Sequence, residues 1–223
     1  MLDTIPMPRG KRHIKIFYEY GQDGGGSTFG VDYDKIIATK YPERVFKRCY
    51  EWCSGPGFIG YYLLDRGVCK SICLSDMYAP SINSANITAN YESNQCRDQV
   101  TTYLFNDLSL LPAEEKFDLV VSNPPHFASA SELDYVTEDQ LRCAVDQDWQ
   151  AHQNFFKHIG DHLLPGGIIL LQENMFGSTA DTFAPYIKEA GLTITDCIKS
   201  DDWWYPPESD LKLQIYYIEI QKK

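Results

Sequence analysis

The sequence predicts a three-layer α/β fold on a seven-stranded, mostly parallel sheet whose last strand runs antiparallel. Three observations predict it. Short apolar strands alternate with helical stretches along the chain, the pattern of a parallel sheet covered on both faces. A strand, a glycine turn and a helix follow one another between residues 45 and 64. The last two strands, 193–200 and 211–220, are separated by residues 201–210, which include two prolines. So short a connection holds no crossover helix, so this pair must be antiparallel.

The 223 residues suffice for one sizeable core, and no Pro/Gly/Ser-rich linker divides them. One compact domain is expected, with residues 1–44 as an N-terminal strand, glycine-rich flap and helix, and residues 45–223 as the principal α/β unit. Hydrophobic residues make up 43% and charged residues 23%, which is the balance of a globular protein without membrane spans. The start, Met1 to Pro8, lacks the apolar core of a signal peptide, so a cytoplasmic location is expected. Seven scattered cysteines and no Cys-x-x-Cys pair argue for reduced thiols and against a metal site. The formal net charge of −11 weighs against a protein whose main task is to grip a phosphate backbone.

In chain order, residues 13–20 alternate as a strand, and Gly21 to Gly30 reads as a mobile loop that could close over a site together with Tyr18 and Tyr20. Residues 32–40 form a short helix. The strand 45–51 runs into Trp52-Cys53-Ser54-Gly55-Pro56-Gly57-Phe58-Ile59-Gly60, where glycines let a ligand approach the backbone and the next helix offers free N–H groups. Strand 71–75 ends at Asp76, and an acidic residue there can hydrogen-bond both hydroxyls of a ribose. Pro80 opens a helix to Ala89, and strand 100–105 ends at Asn106-Asp107-Leu108. Asp76 and Asp107 could also serve as caps of the turns that follow them.

The fourth strand, Phe117 to Ser122, ends abruptly at Asn123-Pro124-Pro125-His126. Prolines cannot donate to a sheet ladder, and Pro124 forces Asn123 into an extended conformation. An amide side chain and a carbonyl are thus presented together at a strand's C-terminal end, where open α/β sheets bind ligands. Beyond it come an amphipathic helix over 146–164, a strand over 168–172 and a helix over 177–190.

Asn123-Pro124-Pro125-His126 resembles the (Asn/Asp)-Pro-Pro-(Tyr/Phe/Trp) motif of class I S-adenosylmethionine-dependent N-methyltransferases. Glu51-x-Cys53-x-Gly55-x-Gly57 resembles the acidic-x-Gly-x-Gly-x-Gly loop of the same enzymes, with Cys53 in place of the first glycine. The resemblance extends over residues 45–220 and implies a Rossmann-like methyltransferase fold. It implies that S-adenosyl-L-methionine is held by Glu51, Cys53, Gly55, Gly57, Asp76, Met77, Asp107, Leu108 and Asn123. Asp107 would meet the adenine amino group and Leu108 its ring. Asn123, Pro124 and His126 would be catalytic, and Phe127, Trp203, Trp204 and Tyr18 would contact the substrate.

The chemistry follows from a poor nucleophile. A nitrogen conjugated to a π system needs its N–H groups held so that its lone pair faces the methyl group. The Asn123 side-chain oxygen and the Pro124 carbonyl could accept those bonds and stabilise positive charge as it develops. His126 departs from the motif's aromatic position; imidazole can stack, hydrogen-bond or accept a proton. That departure and the acidic balance favour a small-molecule nitrogen acceptor. The alternatives are an RNA or DNA base amino group, a protein glutamine, or a non-catalytic module of the same fold. A nicotinamide dehydrogenase also fits Gly55-x-Gly57-x-x-Gly60, but it would not end in an antiparallel pair.

Overall fold

The computed structural model describes residues 2–6, 13–22, 26–133, 137–200 and 214–222. Trp203, Trp204 and the basic run Arg9 to Arg12 lie outside them. Strands β1 (Leu2–Pro6) and β2 (Lys15–Glu19) pair antiparallel as a small separate sheet. The main sheet is built from β3 (Cys49–Trp52), β4 (Ile72–Asp76), β5 (Val100–Leu104), β6 (Phe117–Ser122), β7 (Leu163–Asn174), β8 (Leu192–Lys199) and β9 (Ile215–Lys222). Its order is β5-β4-β3-β6-β7-β9-β8. The first five of these are parallel, and β9 is antiparallel to both β7 and β8. The reversed strand expected at the chain's end therefore sits one place inside the sheet edge, with β8 outside it.

Both faces of this sheet are covered, and the strand sequences say why. Residues alternate between faces along a strand, and β6 is apolar on both. Leu119 and Val121 join a core with Ile168, Leu170 and the helices α1 (Gly26–Lys40), α2 (Phe58–Arg66) and α3 (Ala79–Asn90). Val120 joins the opposite core with Ile169, Leu171 and the helices α5 (Gln150–His162) and α6 (Ala180–Glu189). Each such side chain taken from water contributes roughly 1.5–3 kcal/mol. The two cores together fix the strand register on which the site depends.

Three local differences from the sequence reading have physical causes. Residues 26–30 are the first turns of α1 and not a flap: a Cβ on Gly30 would lie 2.8 Å from Tyr62 Cγ, so this glycine lets α1 close onto α2. A short helix α4 (Glu138–Ala144) lies within a stretch whose apolar content was too low to signal it. Helix α5 starts at Gln150 and not at Asp146, because Asp148 and Trp149 take left-handed φ values of 53° and 58° that no α-helix continues through.

Candidate active site

The glycine loop leaves β3 at Trp52 and re-enters helix at Phe58. Three residues in it have left-handed φ: Cys53 (51°), Gly55 (53°) and Gly57 (89°). At Gly57 a side chain has no room, since a Cβ would lie 2.6 Å from Leu74 Cδ1. Cys53, at the place of the motif's first glycine, takes a left-handed φ at a conformational cost of about 1–2 kcal/mol. Glu51 is only 2% exposed, and its carboxylate accepts from the N–H groups of Ile59 (3.2 Å) and Gly60 (2.6 Å). Burial pushes its pKa up to about 8 despite those two bonds. Glu51 thus caps the start of α2, and its carboxylate faces the helix rather than the loop's open side.

Asp76 sits across from the loop. Its Oδ2 accepts from Gly55 N–H and its Oδ1 from Tyr78 N–H, both at 2.8 Å. Burial raises its pKa, opposed by these N–H groups. Met77 beside it is 66% exposed, and the Arg142 guanidinium lies 3.9 Å from the centre of the Tyr78 ring. Asp107 is half-buried, with its carboxyl held down to about 2 by hydrogen bonds from Asn154 and Ser109. The Asn154 amide closes a two-point pair: its Nδ2 donates to Asp107 Oδ1 (2.8 Å) and its Oδ1 accepts from Leu108 N–H (2.7 Å). The Leu108 side chain is buried in the core, so only its backbone is offered on this side.

The Asn-Pro-Pro segment is fixed from both sides. Its entry is held by Tyr33 of α1, whose hydroxyl donates to the Ser122 carbonyl (2.5 Å), and by the Ser122 hydroxyl, which donates to the Trp52 carbonyl (2.6 Å). Its exit is held at Phe127, whose N–H donates to Ala144 O (3.0 Å) and whose carbonyl accepts from Asp146 N–H (2.8 Å). Phe127 was expected beside the substrate, yet it is 6% exposed and turned inward. Tyr18 packs edge-on against Phe58, with ring centres 5.3 Å apart, next to the start of α2.

Strand register brings these parts to one level. Trp52 pairs with Ser75 on one side and with Ser122 on the other, so Cys53, Asp76 and Asn123 each follow the last pair of adjacent strands. Between β3 and β6 the strand order reverses, which is where open α/β sheets bind their ligands.

A polar cluster that the sequence reading missed lies behind His126. Glu173, near the end of β7, is fully buried. Its Oε2 is 3.5 Å from His126 Nδ1, and its Oε1 is 3.0 Å from His152 Nε2. The other nitrogen of His152 lies 2.6 Å from Asp146 Oδ2. Burial alone would lower the His152 pKa, but Glu173 and Asp146 outweigh it and lift it to about 9. Burial works in the opposite sense on Asp146 and Glu173, and His152 outweighs it, so both carboxyls titrate below their usual range. A signal existed: His152, Phe155, Phe156 and Ile159 share one helix face, which puts a histidine at a core position. Among the described residues no cluster of His, Cys, Asp and Glu is arranged to hold a metal, and no helix is long and apolar enough to cross a membrane.

The family described as methyltransferase small domain matches residues 30–189. The chain belongs to the methyltransferase small domain family. It is an S-adenosylmethionine-dependent methyltransferase domain. Among curated relatives, the ribosomal RNA small subunit methyltransferase C of Psychromonas ingrahamii is 24% identical over 181 residues. That match takes in 78% of this chain but 44% of the relative, so the chain spans less than half of that protein. Solved methyltransferases share the fold. The glycopeptide N-methyltransferase MtfA complexed with sinefungin aligns with a TM-score of 0.60 and 14% identity, covering 92% of this chain and 90% of that one. The ribosomal protein L11 methylase of Lactobacillus delbrueckii subsp. bulgaricus aligns with a TM-score of 0.57 and 12% identity, covering 89% and 77%.

Proposed function

We propose that this methyltransferase small domain protein is an N-methyltransferase of the Asn-Pro-Pro group, acting on a nitrogen of a small molecule. The observation that carries the reading is the shared level of Cys53, Asp76 and Asn123 at the reversal of strand order. S-adenosylmethionine fits the residues present. A carboxylate can accept about four hydrogen bonds, and the backbone N–H groups of Gly55, Tyr78 and Met77 do not exhaust the acceptor capacity of Asp76, which leaves room for a ribose hydroxyl. Gly55 has no side chain on the side where a Cβ would meet only Gln22 O, at 3.6 Å. Asp107 is half-buried with its carboxyl held ionised, so it can accept from an adenine amino group.

Bound there, the cofactor supplies an electrophilic methyl group on a sulfonium. The chain's own part is to position and to stabilise charge. The Asn123 side-chain oxygen and the Pro124 carbonyl accept the N–H groups of the acceptor, holding its nitrogen in line and offsetting the positive charge that grows on it. Tyr33 and the Ser122 hydroxyl keep those two acceptors from drifting.

A small acceptor is favoured by 31 acidic against 20 basic residues, since nucleic-acid affinity runs on phosphate neutralisation. A second reading, a base amino group of RNA, is favoured by the curated relative that is named a ribosomal RNA methyltransferase. Two measurements test both. Calorimetry should show that S-adenosylhomocysteine binds and NAD does not. Labelled methyl incorporation into a panel of small amines, measured beside ribosomal RNA, should favour the amines. Efficient single-site labelling of RNA, with a steep salt dependence, would establish the second reading instead.

A further inference from the structure

We infer that Glu173, backed by the buried His152–Asp146 pair, makes His126 the proton acceptor of the reaction, and that the acceptor nitrogen is one that enters carrying a proton, as an aliphatic amine does. The inference rests on the methyl-transfer reading above and narrows its substrate class. Its basis is a chain of contacts running from the buried interior to the motif: Asp146 Oδ2 to His152 Nδ1 at 2.6 Å, His152 Nε2 to Glu173 Oε1 at 3.0 Å, and Glu173 Oε2 to His126 Nδ1 at 3.5 Å. Asp146, His152 and Glu173 are each at most 5% exposed, whereas the His126 side chain is 12% exposed and follows Asn-Pro-Pro directly.

Charge counting gives the cluster its direction. Asp146 and Glu173 are anionic and His152 is cationic near neutral pH. Among the described residues, Tyr33 from α1, Cys53 after β3 and Tyr216 on β9 also face it, and burial holds all three neutral by raising their pKa values. The cluster therefore carries one net negative charge, and a proton on His126 brings it to zero. An unbalanced buried charge is costly, so Glu173 offsets the positive charge that the ring gains when it takes the acceptor's proton, a pull exerted in the reacting state. A purely structural cluster would be served as well by neutral amides.

That pull matters for some nitrogens and not for others. A base amino group has its lone pair delocalised and bears no extra proton at neutral pH. An aliphatic ammonium, with a pKa near the ~10.4 of lysine, has no lone pair until a proton leaves. In the step inferred, one ammonium proton passes to His126 Nε2. The freed lone pair then forms the N–C bond while the electron pair of the broken S–C bond stays on sulfur. The imidazolium lies beside Glu173, with Nδ1 3.5 Å from Oε2, and returns its proton to water as products leave. Ser178, whose hydroxyl donates to the same Glu173 Oε2 (3.2 Å), competes with His126 for that oxygen.

The test uses the whole chain and the isosteric Glu173→Gln variant. Calorimetry with S-adenosylhomocysteine comes first: if the wild type does not bind it, the methyl-transfer reading fails, independently of what His126 does. Histidine-selective NMR titration then follows the His126 ring in both proteins. The midpoint is expected to fall by at least one pH unit in Glu173→Gln, a tenfold loss of proton affinity, with S-adenosylhomocysteine binding retained. An unchanged midpoint overturns the relay. Should Glu173→Gln not fold, Ser178→Ala is measured instead. Freeing Oε2 should raise the His126 midpoint, and no change would again overturn it. With benzylamine and aniline as probes, Glu173→Gln should slow benzylamine methylation at least tenfold at pH above the wild-type midpoint, where the ring is unprotonated in both proteins but a weaker base in the variant, and aniline methylation much less. Equal slowing of both would overturn the assignment of a protonated acceptor.

Discussion

Gly177 and His126 are in backbone contact: a Cβ on Gly177 would overlap the carbonyl oxygen of His126 and lie 3.0 Å from the Phe127 ring. The turn after β7 thus sets the height of the Asn-Pro-Pro segment. Gly177→Ala should push that segment outward, at roughly 1–3 kcal/mol of stability, the usual cost of overpacking. Methyl transfer should fall by about tenfold or more while S-adenosylhomocysteine affinity is kept, because a displacement near 1 Å is enough to spoil alignment. Urea melts and a methyl-incorporation assay check the two halves.

Asp76→Ala should weaken S-adenosylhomocysteine by roughly 1.5–3 kcal/mol, the worth of hydrogen bonds to a charged group. The variant also leaves the N–H groups of Gly55 and Tyr78 without their acceptor. Asp76→Asn, which keeps an oxygen in place, should lose less. Calorimetry on both variants decides the matter, and unchanged affinity in a folded Asp76→Ala protein refutes the ribose contact.

Asn154 makes with Asp107 and Leu108 the same donor-and-acceptor pair that the edge of an adenine offers. If adenine is read there, Asn154 has to give way. Asn154→Ala is therefore expected to tighten S-adenosylhomocysteine binding several-fold, on the order of the ~1 kcal/mol net value of a hydrogen bond. A weaker complex would show instead that Asn154 supports the loop.

Asn123→Ala should act on turnover and spare cofactor affinity, since its partner is the acceptor nitrogen. A loss in kcat of roughly tenfold or more is expected, in line with removal of one transition-state hydrogen bond. A variant that binds cofactor and turns over normally refutes the role.

His152 predicts a pH window for stability. Its folded pKa, about 9, lies above the ordinary 6.5, so its contribution is fully present below pH 6.5 and is lost as pH rises towards 9. Asp146 and Glu173 have depressed values, so theirs is present above the ordinary carboxylate range and is lost on acidification. Glu51, raised to about 8, adds a separate loss of stability as pH climbs past its ordinary range, so the cluster's part is read as the difference from Glu173→Gln, and this part should be greatest between about pH 5 and 6.5. It should decline by an amount on the order of 3 kcal/mol by pH 9. Denaturant melts across that range test the slope, which Glu173→Gln should flatten.

Much of the sheet was legible because strands and helices differ in apolar period, and because ten residues after Ser200 leave no room for a crossover. The places of Gly55, Asp76 and Asn123 were legible for a similar reason, since each stands at or just beyond the end of an apolar strand. The parts that were not legible depend on distance through space. Nothing local in Gln172-Glu173-Asn174 says that its carboxylate meets two histidines, one from 126 and one from 152. Leu108 and Phe127 were read as ligand contacts from the family resemblance, yet tertiary packing buries both side chains. Glu51 was read as a ligand group from its place in the motif, while the nearest N–H donors to its carboxylate belong to α2.

Helix α1 precedes β3, the first strand of the main sheet, yet it reaches the reacting end through the Tyr33 hydroxyl on the Ser122 carbonyl. Phe29, Tyr33 and Ile37 are also built into the core under the sheet. Trimming the chain to start at residue 45 would therefore not yield a smaller working enzyme. It would uncover an apolar face and loosen the strand end that carries Asn123, so the leading helix and the sheet should unfold in one transition and be inherited as one unit.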